Sequence, residues 1–223
     1  MEDTMQLIEL IQLFRFETDD DAEPFLWSPD EVIDFANDAQ NEACRRARLL
    51  VDSSTAGICT ITVPAVGLGV VTLDPRVIFV RRARFATMLP LKRMNMQDME
   101  SFNPFWQDTS ASTPKAFIPD FGTGQLLLWP PPIVDDTLHL TVVRMPFADM
   151  VDDQDIPEIF DRYHRSLRYW MMYRAYSKQD SQANDPKKAA DALTLFEQEF
   201  GKKSSAIDET WIEREQSEQD GTF

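Results

Sequence analysis

Glycine, cysteine, histidine and basic residues are all scarce in this chain of 223 residues. Its 7 glycines include one close pair, Gly67 and Gly69, which runs on into Val70-Val71-Thr72 with no third glycine and no Gly-Lys-Ser/Thr ending. A dinucleotide fingerprint and a P-loop both need such glycines to bring backbone amides against phosphate, so neither motif is present. The 2 cysteines, Cys44 and Cys59, are too few for a disulfide framework and lack C-x-x-C spacing, which makes a reducing compartment the expectation. Neither of the 2 histidines, His139 and His164, has a second histidine at helical ligand spacing, so no metal and no cofactor is expected. His139 alternates with Leu138 and Leu140 and should face the other side of a strand. His164 reads as a packed or hydrogen-bonded helix residue.

Long apolar runs are also missing. None approaches the roughly 18 residues that would span a bilayer, and the acidic start Met1 to Asp3 has no basic n-region, so neither a membrane nor a secretory signal is expected. With 22 Lys plus Arg against 38 Asp plus Glu, the formal charge is -16. Gripping nucleic acid depends on cations that displace counterions from phosphate, and a balance this acidic argues against it. What remains is ordinary globular composition, 43% apolar and 27% charged, in a length that suits one large or two small domains. No recognisable nucleophile and base constellation stands out, and a carboxylate pair cannot be located by pattern, so the chain reads as a non-enzyme.

Helical period opens the chain. Leu7, Leu10, Ile11 and Phe14 fall at steps of three and four within Met5 to Phe16, and the acidic stretch Glu17 to Asp21 that follows reads as a solvated turn. Ser28-Pro29-Asp30-Glu31 combines a capping serine, a proline suited to the first turn and a glutamate three residues on, a strong helix start. Val32, Phe35, Ala36, Ala39, Ala43 and Ala47 continue its apolar face to Leu50, with Arg45, Arg46 and Arg48 in the last turns where cations favour the helix dipole. From Gly57 short runs of β-formers take over: Cys59 to Val63 and Val70 to Leu73, read as a hairpin, then Val77 to Val80, Ala116 to Ile118, Leu126 to Trp129 and Leu138 to Val143. The segment Met94 to Gln107, with Met94, Met96, Met99, Phe102, Phe105 and Trp106, fits either core packing or an adaptable exposed interface.

Helices return at Asp155-Ile156-Pro157-Glu158, with a stripe of Phe160, His164, Leu167, Met171 and Ala175, and aromatics such as Tyr169 and Tyr173 spread around it. Asp185-Pro186 starts another, which ends at Gly201. The expected fold is therefore α+β: an antiparallel helical bundle from residues 1–56 and 150–201, an inserted small all-β domain over 57–149, and an extended C-terminal tail over 202–223. That tail, with six acids against three bases, is either a disordered end or a segment that orders on a partner.

Several segments stand out in order along the chain: Leu13-Phe14-Arg15-Phe16-Glu17-Thr18-Asp19, Trp27-Ser28-Pro29-Asp30-Glu31, Phe35-Ala36-Asn37-Asp38-Ala39, Asp74-Pro75-Arg76-Val77-Ile78 and Pro90-Leu91. Thr113-Pro114-Lys115-Ala116-Phe117, the proline-rich strand end Leu126 to Pro132, Arg144-Met145-Pro146 and Asp155 to Ile159 with His164 and Ala175-Tyr176 follow. Over about residues 7 to 201 these segments, in this order, together resemble the head-to-tail adaptor (connector) proteins of tailed bacteriophages. The resemblance implies a structural virion protein without enzymatic activity, resident at the head-tail junction and in the host cytoplasm during assembly. It implies a ring beneath the portal, commonly of twelve copies, that extends the channel through which genomic DNA passes without specific binding and that offers an attachment surface to tail or nozzle proteins. The portal protein, those tail proteins and the chain itself are the implied partners. Ile207, Trp211, Ile212 and Phe223 are the candidate portal-docking residues of the tail, and Arg81, Arg82, Arg84, Tyr169 and Tyr173 the candidate contacts between subunits. The competing reading is an acidic protein-binding module, an inhibitor or nucleic-acid mimic, which needs only the charge and a soluble fold.

Overall fold

The computed structural model describes residues 4–65, 67–86, 89–179 and 183–203. In chain order they form α1 (Leu7–Thr18), α2 (Pro29–Ala47), β1 (Val51–Asp52), β2 (Thr60–Val63), β3 (Val70–Thr72), β4 (Val77–Phe85) and β5 (Lys92–Arg93). Then come α3 (Met96–Phe102), β6 (Ala116–Gly122), β7 (Gln125–Trp129), β8 (Asp136–Arg144), α4 (Leu167–Tyr176) and α5 (Pro186–Phe200). Short 3-10 turns cover Trp106–Asp108 and Asp161–Ser166. The fold is α+β, and its described residues divide into two compact units: 4–50 with 145–203, and 51–144.

Local chemistry starts the helices of the first unit. Ser28 caps α2, its Oγ accepting from the Glu31 amide at 3.4 Å while the Ser28 amide donates to Glu31 Oε2 at 3.0 Å. Asp185 accepts from the Lys187 and Lys188 amides, both at 3.1 Å, and Pro186 begins α5. One core joins α1, α2, α4 and α5. Leu7, Leu10, Phe14, Val32, Leu167, Met171 and Phe196 are buried in it, and Ala36, Ala39 and Ala43 give α2 the flat face that close helix packing needs. Trp27 stands edge-on to Phe14 at 5.5 Å and to Tyr176 at 5.9 Å. Arg46 does more than meet a helix dipole. Its buried side chain bonds Glu42 Oε1 at 2.8 Å and the Gly201 carbonyl at 3.3 Å, which stitches the end of α2 to the end of α5.

Two expectations for this unit change. The stretch after α1 is not simply solvated: Asp20 is buried, its Oδ2 is 2.6 Å from Arg15 Nη1, and its Oδ1 accepts from the Leu26 amide. The Asp155 to Glu158 signal does not start a helix either, because its acids serve a loop. Asp155 Oδ2 accepts from the Val151 and Asp152 amides, and Glu158 Oε2 from the Phe147 amide. The α-helix begins only at Leu167, which leaves Phe160 outside the stripe and 66% exposed.

The second unit has two four-stranded sheets. In the first, β8 pairs antiparallel with β1, β2 and β4. The second runs β3-β7-β6-β5, with only β5 and β6 parallel. The expected hairpin between β2 and β3 is absent, since β2 joins β8 and β3 joins β7. Gly69 makes the change of sheet: at φ +74 it accepts the Leu128 amide, and a Cβ there would sit 2.7 Å from the Leu128 carbonyl oxygen. Cys59, Val80, Ala83, Phe85, Phe117, Leu126, Leu138 and Leu140 form a shared core. The insert is not all-β, because α3 and the turn after it lie in it, with Met99 and Trp106 packed on Ile118 and Leu127. The aromatics of this segment divide, with Phe102 and Phe105 71% and 75% exposed. Unit 51–144 opens where Val51 pairs with Val143, while Met150 belongs to the helices through two bonds to Asn37.

Candidate interaction surfaces

The second unit carries a basic cleft of about 530 Å³, and a fault in one strand creates it. Along β4 the pairing with β8 slips between Val80 and Arg82, so Phe79 and Val80 are both buried and Arg81 and Arg82 both exposed. Such a bulge re-aims side chains, and here it turns two consecutive guanidiniums outward. Lys92 and Arg93 come from β5, which is held on one side by the Lys92 amide on the Lys115 carbonyl at 2.9 Å. On the other side the Leu91 amide donates to the Ala83 carbonyl at 2.8 Å. Lys115 completes the rim, with Leu91 and Phe117 beneath it. Arg93 is buried, its guanidinium 4.3 Å from the centre of the Phe79 ring. Among the described residues no carboxylate pairs with Arg81, Arg82, Lys92 or Lys115. This is an anion-attracting recess on a chain of charge -16.

The opposite chemistry lies on the first unit, between Phe147 and Ile156. Asp149, Asp152 and Asp153 are exposed there beside exposed Phe147, Val151 and Ile156. The loop is firmly tied. The Leu7 and Ile8 amides donate to the Asp155 and Asp153 carbonyls at 2.7 and 3.1 Å, Asn37 clasps Met150, and the amides of Val151 and Asp152 hold the Asp155 carboxyl below its ordinary range. The first unit also bears a mainly apolar recess of about 600 Å³ floored by Ile8, Ile11, Phe16, Phe25 and Ile33.

Asp52, Cys59 and His164 are tied into the fold. Burial raises the Asp52 carboxyl, but hydrogen bonds from Ser54, Thr55 and Arg144 outweigh it and hold the group well below the carboxylate range. Burial, then the neighbouring Asp52, push the Cys59 thiol up to about 11, so it is no nucleophile at neutral pH. His164 is fully buried and donates from Nε2 to the Ile159 carbonyl at 2.8 Å. Among the described residues no His, Cys, Asp and Glu group could hold a metal, and no helix is long and apolar enough to cross a membrane.

Of the sequence candidates, Arg81 and Arg82 meet in the cleft, while Arg84 is exposed on the same strand opposite His139 and is not part of the rim. Tyr169 and Tyr173 are half-buried against the helical core, Tyr169 beneath the Arg168 guanidinium and Tyr173 against Trp170. Ile207, Trp211, Ile212 and Phe223 lie outside the described residues. Sequence reading missed Lys115 and the loop at 147–156. The acids at 149, 152, 153 and 155 were the available signal for the loop, and nothing local marked Lys115.

Compared with known proteins, residues 5–218 match the model of one family, described as SU10 adaptor protein. No curated protein matches the chain.

Proposed function

We propose, since this chain belongs to the SU10 adaptor protein family of phage head-to-tail adaptors, that it forms a ring beneath the portal, extends the DNA channel and presents the surface to which the tail attaches. The observation that carries this reading is the family match over residues 5–218, which spans both units. In the proposed ring, commonly of twelve copies in such adaptors, the helices of the first unit act as a bundle stacked around the channel. Tyr169 and Tyr173 at that bundle and Arg81, Arg82 and Arg84 on β4 face neighbouring copies. The residues after Lys203 reach the portal, with Ile207, Trp211, Ile212 and Phe223 as anchors, since large apolar side chains entering pockets dominate peptide docking.

The charge of -16 supports a conduit, because a like-charged wall leaves DNA free to slide where a basic one would hold it. The test is electron microscopy of the protein mixed with portal-bearing capsids: a ring under the portal is the expected result, and bare portals at saturating protein would overturn the reading. A chain that stops at Lys203 should keep its fold by circular dichroism and lose portal attachment. Normal attachment of that shortened chain would remove the tail from the proposal and leave the ring standing.

A further inference from the structure

The basic cleft and the acidic loop have opposite charge and matching texture. On the cleft, four cations without a carboxylate partner among the described residues, and a fifth stacked on Phe79, surround apolar Leu91 and Phe117. The loop has three exposed aspartates, at 149, 152 and 153, interleaved with exposed Val151 and Ile156. We infer that the loop at 147–156 of one copy seats in the β4/β5 cleft of the next, so that Asp149 and Asp152 meet Arg81, Arg82, Lys92 and Lys115 while Val151 covers the apolar floor. This rests on the ring reading and names the two surfaces that close the ring.

Three observations favour a second copy as the occupant. A head-to-tail ring needs two different, complementary surfaces on the same chain, and these two are on it. The recess is also the wrong shape for DNA: about 530 Å³ admits a few side chains, whereas a duplex needs cations spaced along its backbone, and the chain as a whole repels phosphate. Finally, the loop is already ordered, its backbone fixed by α1 and Asn37 and its own turn by Asp155, so seating it costs little conformational freedom. Charge complementarity of this kind sets partner and register, and it weakens with salt.

The test is a pair of charge reversals in the full chain, at exposed side chains that leave the cores alone: Arg81→Glu with Arg82→Glu, and Asp149→Lys with Asp152→Lys. Rings on portal-bearing capsids are counted by electron microscopy, and thermal unfolding confirms that each variant folds. Each reversal alone should cut ring formation by about tenfold or more. An equal mixture of the two should restore it, since every contact in an alternating ring is again between opposite charges. A single chain bearing all four changes should assemble with itself. Single reversals that form rings as the parent does would overturn this inference and leave the adaptor reading untouched. Recovery in the four-change chain but not in the mixture would place the contact within one chain, and rings that persist while packaged DNA is lost would assign the cleft to nucleic acid. Either result overturns it. If the parent chain itself forms no ring, the functional reading falls and this inference with it.

Discussion

Asp52 accepts hydrogen bonds from the Ser54 and Thr55 amides, the Thr55 hydroxyl and Arg144 Nε, the last two at 2.7 and 2.8 Å. Its folded-state carboxyl is therefore depressed, and a depressed acid stabilises the fold above its unfolded value of about 3.9 and loses that contribution as pH falls toward the folded one. Asp52→Asn removes the carboxylate that lies 2.8 Å from the buried Arg144 guanidinium and should cost about 3 kcal/mol at pH 7. Denaturant unfolding at a series of pH values should show the gap from the parent narrowing below about pH 4; a gap that stays constant would show that the charge is not its source. Nearby, a Cys59 thiol raised to about 11 should resist a thiol reagent at pH 8 in the folded chain and react once denatured. In the helical unit Trp27 fills the space between Phe14 and Tyr176, and Trp27→Ala should cost about 3 to 5 kcal/mol by the same unfolding assay.

Among the elements, caps were the most legible. Ser28 and Asp185 act through amides two or three residues away, so sequence alone locates them, and Ser28→Ala or Asp185→Ala should each lower stability by about 1 kcal/mol in thermal unfolding. Asp155 carries the same signal and misleads, because its carboxylate turns back to amides before it and Glu158 is taken by Phe147. That choice is made by tertiary packing. Apolar runs marked β4, β6, β7 and β8, yet not their partners: β8 pairs with three strands that precede it by as much as 92 residues, as between Val51 and Val143. The cleft was half legible. Its bases on β4 and β5 are close in sequence, but the bulge that turns Arg81 and Arg82 the same way breaks the alternation that sequence reading relies on. Lys115 arrives only through the parallel pairing of β5 with β6.

At the scale of the whole molecule, the order helices, strands, helices was readable because hydrophobic period changes from 3.6 to 2 and back. Where one unit gives way to the other was not, since it depends on Val51 finding Val143. Paired residues on antiparallel strands sit about 5 Å apart, so the second unit is spliced in through ends that nearly touch. Replacing residues 51–144 by a short glycine linker should therefore leave a helical unit that unfolds cooperatively, with helical circular dichroism. A molten, non-cooperative product would show that the helices need the strands to fold.

That pair of neighbouring ends also fixes how the second unit bears tension. A pull transmitted through Leu50 and Met145 peels β1 from β8 one rung at a time, the weak direction for a sheet, whereas a pull along the strands would load every rung together. The clasp between Asp52 and Arg144 sits at the first rungs to open. Under such a load the ion pair between Asp52 and Arg144 and the backbone bonds of these first rungs take the strain before the rest of the sheet does.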